Sequence, residues 1–276
     1  AEQVIENLEG LYEGRIKHLV DEQIIDQFYE GKDVWITKEE GSSFYPNQFI
    51  MLISNSNDKK AALARFINYG QPLKKVQVDR KIWGTRSRNK EQQFAFDLLT
   101  DIEIPVVTLI GKAGSGKTLL ALAAGLEQTF GQNPTYKKLV VTKPVEPVGK
   151  DIGFLPGSLE EKMLPWLMPI QDNLQFLLGN DKNALQLYME KGLIELEALT
   201  YIRGRSISNA FVIIDEAQNL TKHEVKTIIT RIGENTKIVL TGDVEQIDNV
   251  YINETSNGLA HAVEKFKKFP LAGHVT

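Results

Sequence analysis

The sequence predicts an α/β protein built on a parallel sheet, and three observations support that fold class. Short apolar runs of strand length, several rich in β-branched residues, recur at residues 105–110, 138–142, 211–214 and 237–241. Helix-forming segments separate these runs, as the crossover connections of a parallel sheet require. Most of the runs lead directly into glycine or charged residues, which are the residues that bind ligands at the carboxyl edge of such a sheet.

The first 80 residues have a different pattern, and we expect them to form a small β-rich domain separate from residues 81–276. One short helix is predicted at 21–29, and residues 59–68 fit either a short helix or an edge strand. The strand-like runs lie at residues 17–20, 34–36 and 49–53. We expect this domain to be a barrel or a sandwich.

Composition excludes several classes of function. The 276 residues are 42% hydrophobic and 25% charged, as in an ordinary globular protein, and the absence of cysteine excludes disulfides, thiolate catalysis and cysteine-ligated zinc. No apolar run approaches the roughly 20 residues of a membrane span, and no secretory pattern opens the chain. We therefore expect a cytoplasmic protein. A net charge of −4 argues against nucleic-acid binding by bulk charge, but a local basic groove stays possible.

The sequence GKAGSGKT at residues 111–118 lies between a predicted strand and a predicted helix, which is the context of a phosphate-binding P-loop. Its glycines allow a tight turn of inward-pointing N–H groups, and the following helix adds its positive end. Lys117 is expected to reach the β- and γ-phosphates of a nucleotide, and the Thr118 hydroxyl to bind Mg²⁺. The expected nucleotide-binding residues are Gly111, Lys112, Ala113, Gly114, Ser115, Gly116, Lys117 and Thr118.

Two carboxylates follow the apolar run 211–214, about 100 residues after the P-loop. Asp215 is the expected Mg²⁺ partner. Glu216 is the expected general base, because a carboxylate near the γ-phosphate can orient and deprotonate the attacking water. Strand-end acids are common, so it is their combination with a P-loop that predicts an ATPase site.

Other polar residues near the predicted sheet edge each have two candidate roles. Gln246 or Thr241 is a candidate sensor of the γ-phosphate, whereas Asp243 fits a turn cap. Gln92 completes a capping box with Asn89, or alternatively hydrogen-bonds adenine with its amide.

The segment after residue 142 is the candidate nucleic-acid contact. Lys143 and Lys150 lie after a strand, where phosphate contact is possible, although an ordinary proline-rich connection is the alternative. The insertion at 151–169 contains prolines that should forbid one long helix, and residues 170–178 are expected to resume as an amphipathic helix.

Taken together, the motifs resemble the PhoH-like family of ATPases, a branch close to the superfamily 1 helicase core. The resemblance covers about residues 86–276. The motifs that carry it lie at 88–92, 111–118, 142–145, 149–157, 203–206, 215–219 and 241–243.

This resemblance implies a RecA-like doubly wound sheet, ATP and Mg²⁺ as cofactors, and coupling of hydrolysis to single-stranded RNA. By family analogy Gln92 binds adenine, Gln218 and Gln246 couple the γ-phosphate to nucleic acid, and Lys143, Lys150, Arg203 and Arg205 are candidate RNA contacts. Longer family members carry a PIN-type ribonuclease domain upstream. We expect this chain to be the C-terminal portion of such a protein, without nuclease activity.

The resemblance also raises the question of a transition-state arginine. Arg203, Arg205 and Arg231 are internal candidates, and an arginine supplied by a neighbour in a homo-oligomeric ring is the alternative. Our expectation is an Mg²⁺-dependent ATPase linked to RNA unwinding. A nucleotide-dependent switch with negligible turnover is the main alternative. The carboxylate of Glu216 argues against a small-molecule kinase.

Overall fold

The computed structural model describes residues 11–38, 44–112, 114–144, 159–199, 207–231, 233–243 and 258–276, with the backbone alone at 159–164 and 166. These parts of the chain contain seven α-helices and twelve strands. The helices are α1 Glu22–Tyr29, α2 Lys90–Thr100, α3 Lys117–Phe130, α4 Leu159–Leu177, α5 Lys182–Glu190, α6 Lys222–Thr230 and α7 Gly258–Phe266. The strands are β1 Arg15–Val20, β2 Gln48–Ser54, β3 Ala61–Phe66, β4 Lys74–Lys75, β5 Lys81–Ile82, β6 Thr85–Arg86, β7 Val106–Gly111, β8 Lys138–Lys143, β9 Ile194–Ala198, β10 Ala210–Ile214, β11 Lys237–Asp243 and β12 Ala272–Val275.

Six strands form one sheet in the order β12-β7-β11-β10-β8-β9, and every pairing in it is parallel. The P-loop strand β7 and the acidic strand β10 are separated by β11 alone. Because all six strands run the same way, their carboxyl ends meet at one edge. The prediction of a RecA-like P-loop NTPase fold is therefore confirmed.

Helices cover both faces of this sheet, so the fold is doubly wound. On one face the buried side chains of α2, α3 and α4 pack against Val107, Leu139 and Phe211. On the other face α6 and α7 pack against Val140 and Val212. Burial on both sides explains why the strands are almost continuously apolar rather than alternating.

The N-terminal part forms a second sheet, β1-β2-β3-β4, with β1 parallel to β2 and the other pairs antiparallel. The β-rich prediction is confirmed, but the described residues form a single open sheet rather than a barrel or sandwich. Alternate residues of β2 explain the difference. Ile50 faces the core beneath α1, whereas Phe49 stacks on Phe94 of α2 with ring centroids 4.3 Å apart. A helix and the larger unit therefore cover the two faces of this sheet.

Three predictions of local structure need correction. Residues 34–36 do not form a strand, and residues 61–66 form the internal strand β3 rather than a helix or an edge. The helix α4 runs without a break through Pro165 and Pro169, although we expected the prolines to interrupt it. The two prolines are four residues apart on the exposed side. Burial of Leu167, Ile170 and Leu174 on the opposite side stabilises the helix in spite of the lost hydrogen bonds.

A buried charge network joins the small sheet to α2. Arg65 of β3 is 1% exposed, and its Nε lies 2.9 Å from Oδ2 of Asp97. The same guanidinium forms an ion pair with Asp101 and donates to the Asn47 side chain. Nearby, Lys237 donates to the carbonyls of Leu98 and Asp101, and its burial lowers the pKa to about 7. These contacts fix the C-terminal end of α2 against both sheets.

Every helix in the described parts of the chain is too short or too polar to cross a bilayer.

Candidate active site

The P-loop connects β7 to α3 at the carboxyl edge of the large sheet. Gly114 and Gly116 have φ angles of +80° and +83°, which glycine adopts without steric cost. Gly111 is required for a different reason. A Cβ added there would lie 2.5 Å from Oγ of Ser115, so a side chain would block the turn. The loop therefore has the backbone that close approach to phosphates requires.

Lys117, at the start of α3, is surrounded by carboxylates. Its Nζ donates to the carbonyl oxygen of Lys112 at 3.3 Å. Burial lowers the pKa of Lys117, and the nearby charges of Asp243, Asp215 and Glu216 partly oppose that effect. The expected P-loop cation and the expected carboxylates therefore lie in the same site.

Asp215, which follows β10, accepts two hydroxyl hydrogen bonds on one carboxylate oxygen. Thr118 donates to Oδ1 at 3.0 Å and Thr241 of β11 donates at 2.7 Å. Three separate elements therefore converge on this carboxylate. Mg²⁺ prefers oxygen ligands and binds through one or two protein groups, water and substrate phosphates. The hydroxyl of Thr118 and the carboxylate of Asp215 fit that donor set.

Glu216 has a left-handed backbone with φ +53° and ψ +41°, which costs a residue other than glycine about 1–2 kcal/mol. Such strain persists where the surrounding structure maintains it, and it is typical of functional sites. The residue begins a 3-10 turn over Ala217–Asn219. The structure thus turns the chain sharply just where the expected base follows the expected Mg²⁺ partner.

Lys143, an expected RNA contact, lies instead against the expected general base. Its Nζ is 3.1 Å from Oε1 of Glu216, and its side chain is 13% exposed. The strands position it there, because the backbone N–H of Asp215 donates to the carbonyl oxygen of Thr142 at 2.9 Å. Sequence reasoning did not find this ion pair, since it depends on β8 lying beside β10.

Gln92 lies at the start of α2 and takes part in the cap that the sequence suggested. Its backbone N–H donates to the Asn89 side chain at 2.9 Å, which confirms the cap. Its own Oε1 accepts from the backbone N–H of Arg88 rather than of Asn89, so the capping box is shifted by one residue. Its Nε2 donates to the carbonyl oxygen of Ser115 at 3.1 Å. The amide therefore lies beside the P-loop.

Two further side chains join the end of β10 to the end of β11. The side-chain oxygen of Gln218 accepts from the backbone N–H of Asp243 at 3.2 Å. Asp243, which we expected only to cap a turn, also contributes to the electrostatic environment of Lys117. The sequence signal that could have identified Asp243 as a site residue is its position just after the apolar run 237–241.

Arg231 does not approach this edge. Its carbonyl oxygen accepts from the backbone N–H of Ile207, just before the first residue of β10. The five residues of β10 separate that end from Asp215 by about 16 Å. Arg231 is therefore unsuited to act within its own chain's site. The other expected site residues, Ala113, Lys150, Arg203, Arg205 and Gln246, lie outside the described residues.

The chain matches the family model described as PhoH-like protein over residues 85–276. It is 49% identical to Protein PhoH2 of Bacillus subtilis over 277 aligned residues, which cover 99% of this chain and 62% of that protein. It is 43% identical to Protein PhoH2 of Mycolicibacterium smegmatis, with 78% of this chain and 48% of that protein covered. The chain thus spans about half to two thirds of these relatives.

Among solved structures, the large terminase of bacteriophage HK97 aligns with a TM-score of 0.40 and 14% identity, over 72% of this chain and 42% of the terminase.

The family match covers the P-loop, both carboxylates and all six strands of the large sheet. The chain therefore belongs to the PhoH family.

Proposed function

We propose that the chain binds ATP together with Mg²⁺ and hydrolyses the ATP. The observation that carries this proposal is the convergence of Thr118 and Thr241 on one oxygen of Asp215, beside Lys117. A carboxylate held between two hydroxyls at the end of a P-loop has the ligands that a nucleotide-bound Mg²⁺ requires. Family membership supports the same activity.

Each side chain has a distinct role in this proposal. Lys117 and the P-loop N–H groups bind the phosphates, while Thr118 and Asp215 hold the metal. When bound, Mg²⁺ neutralises charge on the phosphate oxygens. Glu216 orients the attacking water and accepts its proton, and Gln246 senses the γ-phosphate. Gln92 binds adenine, as the family resemblance implies, and its amide lies beside the P-loop.

We also propose that hydrolysis is coupled to binding and unwinding of single-stranded RNA by a cytoplasmic homo-oligomer. Support comes from the family resemblance and from Lys143, which lies at the site and begins the segment expected to contact RNA. Lys150, Arg203 and Arg205 are the other proposed contacts. We propose that a neighbouring subunit in a ring supplies the transition-state arginine, and the position of Arg231 away from the site favours this arrangement over Arg231 itself.

Phosphate release measured against protein concentration, with and without an RNA oligomer, tests these proposals. We expect Mg²⁺-dependent turnover that rises with protein concentration, increases several-fold with single-stranded RNA and is lost in Lys117→Ala. Turnover that is indifferent to Lys117→Ala would refute ATPase activity at this site. Turnover that is lost in that variant but indifferent to RNA would refute only the coupling.

One observation favours a second candidate function, a nucleotide-dependent switch with negligible turnover. Oε1 of Glu216 is already paired with Lys143, and this pairing makes the carboxylate a weaker base in this conformation. Tight ATP binding with no phosphate release at any protein concentration, and a partner bound only in the ATP state, would favour the switch.

A further inference from the structure

The ion pair between Lys143 and Glu216 joins the ends of two strands that are far apart in the sequence. Lys143 continues the face of β8 that carries Leu139 and Val141, both buried in the core beneath α2, α3 and α4. Glu216 follows β10, the neighbouring strand. At 13% exposure the lysine side chain is largely enclosed, and its ammonium lies beside Oε1.

The strand order argues against direct binding of P-loop phosphates by Lys143. Three inter-strand spacings separate β8 from β7, a distance of about 14 Å between strand axes. Lys117 already provides a cation within the loop itself. Lys143 is therefore placed to act through Glu216 rather than on the loop.

The consequence for the base follows from geometry. A general base must accept a hydrogen bond from its water at about 2.6–3.2 Å. The Lys143 ammonium occupies one oxygen of the Glu216 carboxylate at that range, and a charge-assisted hydrogen bond is stronger than one from neutral water. While the pair persists, the lysine competes with the water for the carboxylate.

We propose that Lys143 is a positioning residue that restrains Glu216 and limits ATP turnover until a phosphate group attracts its ammonium away. This inference rests on the proposed ATPase function. The competing group is a phosphate with oxygens exposed to Lys143, from either a nucleic-acid strand or a free polyphosphate. When a phosphate replaces Glu216 as the partner of Lys143, the lysine stays charged. The Glu216 carboxylate can then accept a hydrogen bond from the attacking water.

The test compares Lys143→Gln with the parent chain in assays of ATP hydrolysis without added polyanion. We expect Lys143→Gln to raise kcat several-fold with KM for ATP changed less than twofold, because a neutral amide pairs weakly with the carboxylate. Lys143→Arg should retain the parent rate. Lys138→Gln is the matched control, since Lys138 begins the same strand and pairs with Glu195 at 3.0 Å, away from the site. It should leave kcat unchanged.

Two additions identify the source of the phosphate. A 20-nucleotide oligo(A) RNA and sodium polyphosphate are compared at equal phosphate concentration. Stimulation of the parent by RNA alone identifies a nucleic-acid strand, and stimulation by both identifies phosphate in general. In either case Lys143→Gln should gain less than the parent. Equal stimulation of the two proteins would overturn the release step.

Binding of a fluorescent ATP analogue provides a readout other than turnover. We expect the Kd of Lys143→Gln to stay within twofold of the parent. A Kd weakened tenfold together with a lower kcat would make Lys143 a nucleotide ligand and overturn the restraint. If the parent hydrolyses ATP and Lys143→Gln is no faster, the proposed restraint is wrong but the proposed ATPase function stands. ATP binding without turnover in both proteins would contradict the restraint and the proposed ATPase function together.

Discussion

Two threonine hydroxyls from distant parts of the sequence donate to the same oxygen of Asp215. Thr118 belongs to the P-loop itself, whereas Thr241 lies within β11, more than 100 residues later, and is completely buried. The carboxylate of Asp215 is half-buried, and two donors on one of its oxygens fix its direction. Thr241 thus orients the proposed Mg²⁺ ligand without being a P-loop residue.

We predict that Thr241→Val raises the Mg²⁺ concentration required for half-maximal ATP turnover several-fold. The loss of one hydrogen bond to a charged group costs about 1.5–3 kcal/mol, and part of that cost appears as weaker orientation of Asp215. A magnesium titration of phosphate release measures the effect. Thr241→Ser, which keeps the hydroxyl, should behave as the parent. An unchanged titration in Thr241→Val would show that Thr118 alone orients Asp215.

His274 of β12 is the residue that makes the fold sensitive to acid. It is buried, its Nδ1 lies 2.7 Å from Oγ1 of Thr108, and burial lowers its pKa from 6.5 to about 3. The folded protein therefore holds this imidazole neutral at pH values where the unfolded chain protonates it. Stability must fall as pH decreases below 6.5, because protonation then favours the unfolded chain.

We predict that this residue lowers stability by about 2 kcal/mol between pH 6.5 and 4.5, with a slope that approaches about 1.4 kcal/mol per pH unit. Denaturant unfolding at several pH values measures the slope, and His274→Gln should reduce it by that amount even if it lowers stability overall. The exposed residue His223 provides the control, since His223→Gln should leave the slope unchanged. Equal slopes in the parent and His274→Gln would show that His274 titrates normally.

At the scale of elements, α2 is the connection between the two sheets and the P-loop. Its first turn carries Gln92 against Ser115, and Arg15 of β1 pairs with Glu91 in that turn. Its last turn is held by the network of Arg65, Asp97 and Asp101. Displacement of either end would therefore move the helix relative to the nucleotide site.

We predict that Arg65→Met destabilises the protein by about 3–5 kcal/mol, because it removes the buried partner of Asp97 and leaves only the more exposed Lys74 beside that carboxylate. Lys74 contacts the same two carboxylates but is 41% exposed, so Lys74→Met should cost about 1 kcal/mol or less. Denaturant unfolding of both variants provides the comparison. Similar losses in the two would mean that the network is solvated rather than buried.

The elements also show which parts of the fold could be predicted. The P-loop and the acids at 215 and 216 were predictable because their chemistry depends on local spacing and on strands buried on both faces. The Lys143–Glu216 pair was not, since it requires the strand order. The helix through Pro165 and Pro169 was mispredicted because burial of its apolar face outweighed the lost hydrogen bonds. The strand at 61–66 could not be distinguished from a helix without knowledge of its partners.

At the scale of the whole molecule, the predicted domain boundary near residue 80 separates two sheets that share one hydrophobic core. Phe49 and Met51 of the small sheet belong to the same buried cluster as Phe94 of α2. The residues before β1 also reach the large sheet, where the carbonyl oxygen of Glu13 accepts from the backbone N–H of Thr276. The two parts are therefore expected to depend on each other for stability.

We predict that residues 81–276 expressed alone are strongly destabilised, and that the whole chain unfolds in one transition. Removal of the small sheet exposes Phe94 to water, at a cost of about 1.5–3 kcal/mol, and also removes the ion pairs of Arg65 with Asp97 and Asp101. Thermal unfolding followed by circular dichroism compares the two proteins. A fragment as stable as the parent, or two separate transitions in the parent, would establish independent domains instead.

We propose that Lys117, Asp215 and Glu216 form one ATPase site at the carboxyl edge of the parallel sheet. The variant Glu216→Gln provides the sharpest test, with ATP binding and phosphate release measured on the same sample in the presence of Mg²⁺. We predict ATP affinity within a few-fold of the parent and turnover lowered by about 10²-fold or more, as expected when a general base is removed. Turnover maintained in Glu216→Gln would contradict it.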